Sequence, residues 1–302
     1  MGSFLRKTSS TESRNGMPEW IKTPYRKTPD GSRAGDRTWF AIGDIHGRHN
    51  LMRQMLETVG QLGKNETFGL VLTGDLIDRG PCSLRCLELA EEAGNITGAA
   101  ETVILPGNHE LMLLDFLFGR DELYIWMNNG GLTLMSEIEG ALEAASDGMR
   151  KGQDYRDLRN IIMPALPKYW TEENFPHFHR ARDIIFVHAG IHPRTDIAEF
   201  LSRSHQYARL QELRDGRHWA WIREEFTHHR GPWPSEEKVC VVHGHSPVTR
   251  MMFSDARELE YLALFPNGCQ RICLDGGAAS VEQGIICEFR EDMVRLHCIQ
   301  LA

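Results

Sequence analysis

Five short apolar runs in this 302-residue chain end in residue types that bind metal ions: Asp44-x-His46, Asp75, Asn108-His109, His188 and His243-x-His245. Two divalent cations held about 3.5–4 Å apart need a shared carboxylate together with several oxygen and imidazole ligands, and such a pair activates water against phosphorus or carbonyl centres. Taken singly, each signal is bland. A Gly-Asp after a strand is more often a turn, and a lone buried histidine more often a satisfied core residue. Five such segments at successive strand ends are poorly explained by chance. Within the last pair, residues i and i+2 share a strand face, so spacing leaves both His243 and His245 as candidates.

The elements that must position these residues are readable from periodicity. Trp39 to Ile42 runs into Gly43-Asp44, and Leu51, Met52, Met55, Leu56, Val59 and Leu62 then recur at helical spacing. Leu70-Val71-Leu72 runs into Gly74-Asp75, followed by a helix opened by Pro81 and carrying Leu84, Leu87 and Leu89. Val103-Ile104-Leu105 runs into Gly107-Asn108-His109 and an apolar helix from Leu111 to Phe118. Alternation of this kind predicts an α/β fold with crossover connections, and in such sheets ligands gather beyond the carboxyl ends of the strands. The neighbouring glycines (Gly43, Gly47, Gly74, Gly107, Gly190, Gly244) suit turns where backbone approaches an ion or phosphate. Residues 119–181 are polar, hold a helix over Leu132–Ala145, and read as a mainly helical insertion. Strand signals resume at Ile184–Val187, Val239–Val242, Arg271–Leu274, Gly284–Phe289 and Met293–Ile299, the last two as an antiparallel pair.

Composition excludes several classes. With 41% hydrophobic and 25% charged residues the chain reads as an ordinary globular protein, and its longest apolar runs fall far short of the roughly 20 residues of a membrane span. A net charge of −8 argues against a nucleic-acid backbone or an anionic membrane as the main partner. Residues 1–37 carry eight Lys or Arg against four Asp or Glu, a local +4, and lack any apolar core. They read as a disordered tail preceding one domain over 38–302. Arg6 stands where a myristoylation signal needs Ser or Thr. The seven cysteines, with Cys82/Cys86 and Cys269/Cys273 spaced wider than usual zinc or redox pairs, read as reduced thiols in a cytoplasmic protein.

Gly43-Asp44-Ile45-His46-Gly47, Gly74-Asp75-Leu76-Ile77-Asp78-Arg79-Gly80 and Gly107-Asn108-His109-Glu110 resemble the GDxHG, GDxxDRG and GNHE signature of the phosphoprotein phosphatase family, within the calcineurin-like metallophosphoesterases. His188-Ala189-Gly190 and Gly244-His245-Ser246-Pro247-Val248 are similar to the later metal-binding segments of its bacterial and phage branch. The resemblance covers about residues 38–290. It departs from the family at Leu274-Asp275-Gly276-Gly277, where a Thr often precedes the Gly.

The resemblance implies a four-layer α/β/β/α sandwich with mixed sheets and a dinuclear centre at the sheet edge. It assigns Asp44, His46 and Asp75 to one metal and Asp75, Asn108, His188 and His245 to the other, with His243 either supporting a ligand from behind or packing. Direct attack of a metal-bridging hydroxide would then cleave the ester without a covalent intermediate. Arg79 and Arg223 would clamp phosphoryl oxygens, a planar guanidinium matching two at once, with Asn108 also contacting substrate. Arg223 could equally be a surface residue paired with Glu224 or Glu225. His109 would protonate the leaving oxygen, and Asp78 would orient it. Asn129-Gly130-Gly131 is similar to a substrate-side loop. His177-x-His179 and His228-His229 read as surface histidines, and Trp219, Trp221 and Trp233 as packing aromatics. Mn²⁺ is the expected metal, with Fe, Zn, Co or Ni open.

Asp78-Arg79 favours a metal-dependent phosphatase acting on phosphoserine, phosphothreonine or phosphotyrosine in proteins or on small phosphoesters. A dinucleoside polyphosphate hydrolase, cleaving substrates such as diadenosine tetraphosphate, is the alternative. A non-catalytic phosphoprotein-binding scaffold is disfavoured, since no ligand or acid position is lost. Oligomeric state is not encoded in any pattern found.

Overall fold

The computed structural model describes residues 19–118, 123–145, 163–165, 176–202, 217–230, 233, 238–265 and 270–301. Strands β1 (Glu19–Lys22), β2 (Arg26–Lys27) and β3 (Thr38–Ile42) are followed by α1 (His49–Gly63), β4 (Phe68–Leu72), α2 (Ser83–Thr97), β5 (Glu101–Ile104) and α3 (Asn108–Leu117). Helices α4 (Leu123–Trp126) and α5 (Leu132–Ala145) flank a π-turn at Met127–Gly131. Then come β6 (Phe178–Ala181), β7 (Ile184–Val187), α6 (Ile197–Ser202), α7 (Glu224–Thr227) and β8 (Cys240–His243). The chain continues through α8 (Ala256–Ala263), β9 (Arg271–Cys273), β10 (Gln283–Arg290) and β11 (Met293–Gln300).

Two mixed sheets result. The first runs β1-β11-β10-β3-β4-β5 with β2 also on β11, and the second runs β6-β7-β8-β9. Strands β3, β4 and β5 are parallel, as are β7, β8 and β9, while β10 and β11 form the expected antiparallel pair. Strand alternation sorts side chains into layers. Trp39, Ala41, Val71, Cys287 and Phe289 from the first sheet meet Ile184, Phe186, Cys240, Val242 and Ile272 from the second in one buried cluster. The opposite faces point outward, with Phe40, Ile42, Leu70 and Leu72 packing under Leu51, Met52, Met55 and Leu87 of α1 and α2. Ile185, Val187 and Val241 pack under Phe200, Ile222 and Phe226. The order helix, sheet, sheet, helix is that of the expected sandwich. Each fully buried Leu, Ile or Phe side chain contributes about 1.5–3 kcal/mol.

Two boundaries need correction. The ordered body begins by Glu19 rather than at residue 38, because β1 pairs antiparallel with β11 (Ile21 opposite Cys298) and β2 pairs with the start of β11. A four-residue and a two-residue strand rich in charge carry too weak a pattern to register, and their partner lies more than 260 residues away in sequence. Residues 1–18 of the expected tail lie outside the described residues. The insertion expected over 119–181 ends earlier, since Phe178–Ala181 is the edge strand of the second sheet. Helix α5 occupies the span expected for a helix, and residues 146–162 and 166–175 of the expected insertion lie outside the described residues. Six cysteines (Cys82, Cys86, Cys240, Cys273, Cys287, Cys298) are free, and no described helix is long and apolar enough to cross a membrane.

Candidate metal centre and active site

The carboxyl ends of β3, β4, β7, β8 and β9 converge, and so do the residues that follow them. Among the described residues, two groups of potential metal-binding side chains form, His46–Asp75–His109 and Asp75–His188–His245. Within each group the ligand atoms lie within 4.8 Å of one another. All five residues are buried, and Asp75 belongs to both groups.

Local folding aims each imidazole. His46 Nδ1 is engaged by the Ile77 carbonyl at 3.1 Å, leaving Nε2 toward Asp75 Oδ2 at 3.6 Å. His188 Nδ1 is engaged by the Thr73 carbonyl at 2.8 Å, leaving Nε2 3.1 Å from Asn108 Oδ1 and 3.3 Å from Asp75 Oδ1. A backbone carbonyl on one ring nitrogen fixes the tautomer and frees the other lone pair, the usual support of a metal-binding histidine. His245 Nε2 lies 3.2 Å from the Trp221 carbonyl, and its buried Nδ1 has no partner. His243 takes no place in either group. Its ring packs edge-on against Phe226 at 4.8 Å, as a packing residue would.

Several of these residues sit in strained backbone. His46, Asp75, Asp78, Arg79 and His245 all have positive φ, between 49° and 69°, where non-glycine residues are uncommon. The Asp75 loop is held by Glu110, a fully buried carboxylate accepting the backbone N–H groups of Asp75 (2.8 Å), Leu76 (2.8 Å), Ile77 (3.2 Å) and Gly107 (2.7 Å). Gly107 is obligatory, since a Cβ there would lie 2.1 Å from Asp75 Oδ1. The backbone N–H of His109, in the first turn of α3, also donates to that oxygen at 3.1 Å.

Electrostatics make the site acidic at its floor. Burial pushes Asp44 well above its ordinary value, and Asp275 and Asp75 push further. Asp275 is raised to about 6, first by burial, with Asp75 adding and the Gly277 N–H opposing. Asp75 is the exception, because His188, His109 and His46 outweigh the cost of its burial and hold it well below the usual range. Three adjoining buried carboxylates ringed by imidazoles suit added positive charge, and burial keeps His46, at about 3, in the neutral form that ligates metal. The unpartnered Nδ1 of His245 points to the same need. The donor set therefore fits divalent cations.

Not every expected residue lies in those groups. Both carboxylate oxygens of Asp44 accept the His245 N–H, at 3.1 and 3.0 Å, and the His46–Asp75 group includes His109 where the resemblance places Asp44. His109 Nδ1 lies 2.7 Å from Asp78 Oδ2, which also accepts the Trp126 indole N–H at 2.8 Å, while His109 Nε2 is buried without a partner. Burial lowers His109 to about 4 and raises Asp78 to about 8.

Arg79 and Arg223 are both solvent-exposed above the buried carboxylates. Arg79 Nη1 lies 2.9 Å from His46 Nε2, and its backbone N–H donates to Gly130 at 3.2 Å, so the Asn129–Gly131 loop adjoins it. Arg223 donates to the His245 carbonyl at 2.9 Å and to Ser246 Oγ at 3.3 Å. The anticipated surface pairing goes elsewhere, since Glu225 pairs with His192 at 2.8 Å.

His177 is a correction, being buried against Phe178, Phe200 and Trp219 rather than at the surface. His179 likewise rests on Trp39, with ring centroids 4.5 Å apart. Asp275, Glu110 and Trp126 were not among the expected site residues. Asp275 follows strand β9 as Asp44 follows β3, so the strand-end rule could have found it. Glu110 stands three residues after the Gly107 cap, where a carboxylate closes a helix start. Nothing in the sequence marks Trp126.

Comparison with known proteins gives the family of the chain. The family model described as calcineurin-like phosphoesterase matches residues 39–276. A symmetrical bis(5'-nucleosyl)-tetraphosphatase of Baumannia cicadellinicola is 29% identical over 45% of this chain, which spans only 57% of that relative's length. The asymmetrical bis(5'-nucleosyl)-tetraphosphatase PrpE of Bacillus cereus is 27% identical over 70% of this chain and 80% of its own. Among solved structures, the cold-active protein-tyrosine phosphatase of a psychrophilic Shewanella is similar at 18% identity, covering 84% of this chain and 75% of that chain with a TM-score of 0.44. With a family match over 238 residues and a metal-binding constellation at the ends of both sheets' strands, the chain belongs to the calcineurin-like phosphoesterases.

Proposed function

We propose that this protein hydrolyses the phosphoanhydride chain of bis(5'-nucleosyl) tetraphosphates. The observation that carries this reading is the buried pair of groups sharing Asp75 beneath two exposed arginines, in a chain similar over 70% of its length to a tetraphosphatase of that kind. The reading reverses the order expected from the signature motifs, which placed phosphoprotein substrates first.

Asp44, His46 and Asp75 would hold one divalent cation, and Asp75, Asn108, His188 and His245 the other. When bound, the cations supply Lewis-acid charge to phosphoryl oxygens and lower the pKa of an attacking water. Arg79 and Arg223, approaching from solvent, bind the non-bridging oxygens of the polyphosphate bidentately. Their positive charge offsets the repulsion a tetraanionic substrate meets from a body of net charge −8. His109 presents Nε2 to the leaving oxygen while Asp78 holds its Nδ1, and Trp126 fixes Asp78.

One observation favours phosphoserine or phosphothreonine instead. A buried His–Asp acid unit serves an alkoxide leaving group more than a phosphate, which departs without a proton. A direct comparison separates the readings: metal-stripped protein reconstituted with Mn²⁺, Fe²⁺, Co²⁺, Ni²⁺ or Zn²⁺ is assayed on diadenosine tetraphosphate, a phosphoserine peptide and p-nitrophenyl phosphate. The proposal expects kcat/KM for the tetraphosphate to exceed that for the peptide by at least about tenfold, a difference of 1.4 kcal/mol in transition-state binding. Product analysis, two ADP or AMP with ATP, gives the cleavage position. A preference for the peptide would overturn the proposal.

A further inference from the structure

Arg223 reaches the site from an element too short to hold its own place. Helix α7 is a single turn, and one turn of helix is not stable by itself. Arg223 is its N-cap, its carbonyl accepting the N–H groups of Phe226 (3.0 Å) and Thr227 (2.8 Å), so wherever that turn goes, Arg223 goes with it.

Two anchors hold the turn. Phe226 is fully buried, edge-on to His243 at 4.8 Å and stacked on Trp233 at 5.5 Å. It fills the space above Gly190, where a Cβ would come within 2.5 Å of its ring. The second anchor is polar. Arg271, buried at the start of β9, donates Nη1 to the carbonyls of His229 (2.9 Å) and Phe226 (3.4 Å) and Nη2 to that of Thr227. A guanidinium thus collects the carbonyl end of the turn that Arg223 opens, where a cation is favoured both as hydrogen-bond donor and by the helix dipole. Its carbon also lies 5.9 Å from the Phe226 ring centroid, so one side chain touches both anchors.

We propose that Arg271 is a positioning residue for substrate binding: clamped under α7, it sets Arg223 against the His245 carbonyl and over the buried carboxylates. The inference rests on Arg223 binding phosphate oxygens. Arg271 touches no substrate and acts through Arg223 alone.

The test is a double-mutant cycle in the full-length, metal-reconstituted protein, with p-nitrophenyl phosphate and diadenosine tetraphosphate as substrates. Arg271→Met is expected to raise KM roughly tenfold while kcat stays within about threefold, the pattern of lost uniform binding. Arg271→Lys keeps a cation beneath the carbonyls and should recover most of that loss. In an Arg223→Ala background, Arg271→Met should add less than about a further twofold, because residues acting as one unit are not additive. A full, independent KM increase in that background would overturn the inference, as would an unmoved KM in Arg271→Met when Arg223→Ala raises it. If Arg223→Ala itself leaves KM unchanged, the phosphate-clamp reading fails first and takes the inference with it. Should Arg271→Met not fold, Arg271→Gln, which keeps an amide donor but not the cationic fork, carries the same cycle, and its KM increase must vanish when Arg223 is absent.

Discussion

His109 is where residue chemistry and substrate identity meet. A serine alkoxide leaves poorly without a proton, whereas a nucleotide phosphate departs as a stable anion, and general-acid catalysis contributes on the order of 10²–10⁴ in rate where it is needed. His109→Asn should therefore depress turnover of a phosphoserine peptide far more than turnover of diadenosine tetraphosphate, with metal content unchanged. Equal losses on both substrates would assign His109 to positioning or to metal binding, for which its place beside His46 and Asp75 also suits it. Glu110 makes a different prediction. It accepts four backbone N–H groups, and Glu110→Gln replaces one acceptor oxygen by a donor facing those same N–H groups. A buried donor left unsatisfied costs about 1–3 kcal/mol. The variant should melt several degrees lower and bind metal more weakly, measured by calorimetry and metal analysis. An unchanged melting temperature would show that the Asp75 loop holds itself.

At the scale of elements, most of the candidate site is legible from strand ends in the sequence alone. Each parallel strand with a strong apolar run brings its candidate residue to the same edge, and helix α5 occupies its expected span. What stayed hidden has a common physical cause, pairing distant in sequence and weak in local pattern. Strands β1 and β2 are the clearest case. They are pinned by Glu288, fully buried on β10, which lies 2.6 Å from the Tyr25 hydroxyl and takes His297, Arg290 and Arg295 at 2.8, 2.7 and 2.5 Å. Burial alone would raise the Glu288 pKa, but these hydrogen bonds together hold it well below the ordinary value of 4.5. A depressed folded-state pKa means that the stabilisation is complete above the unfolded value and is lost as pH falls through the range below it. Glu288→Gln should destabilise the protein at pH 7 and flatten the acid limb of its stability curve. An acid limb identical to the parent's would remove Glu288 from that role. Truncation to residue 38, which the sequence alone would judge harmless, deletes β1, β2 and Tyr25 and should lower the melting temperature markedly.

For the whole molecule, the site is a product of sheet packing. Asp44, His46, Asp75 and Asn108 come from the strand ends of one sheet, His188, His245 and Asp275 from those of the other. The two are locked by aromatic contacts such as Phe186 against Phe289, edge to face with centroids 6.1 Å apart. The His46–Asp75–His109 group is drawn from the first sheet alone, whereas Asp75–His188–His245 draws on both, so a cation held by the second group would tie the sheets together and favour the native state by RT ln(1 + [L]/Kd), about 2.7 kcal/mol at a hundredfold excess over Kd. Chelation should therefore lower the melting temperature by several degrees while keeping a single cooperative transition. Phe186→Ala, which opens a cavity between the sheets at a cost of about 3–5 kcal/mol, tests the same coupling from the opposite direction. Because a looser sheet junction spreads the candidate ligands, its metal affinity should fall together with its stability, although the Phe186 ring packs between the sheets against Trp39, His179 and Phe289. The check is urea unfolding followed at once by tryptophan fluorescence and by a metal-release dye. Coincident midpoints are expected for the parent and the variant alike. Metal release well ahead of unfolding would mean that the cations hang on one sheet's loops and that sheet packing does not build the site.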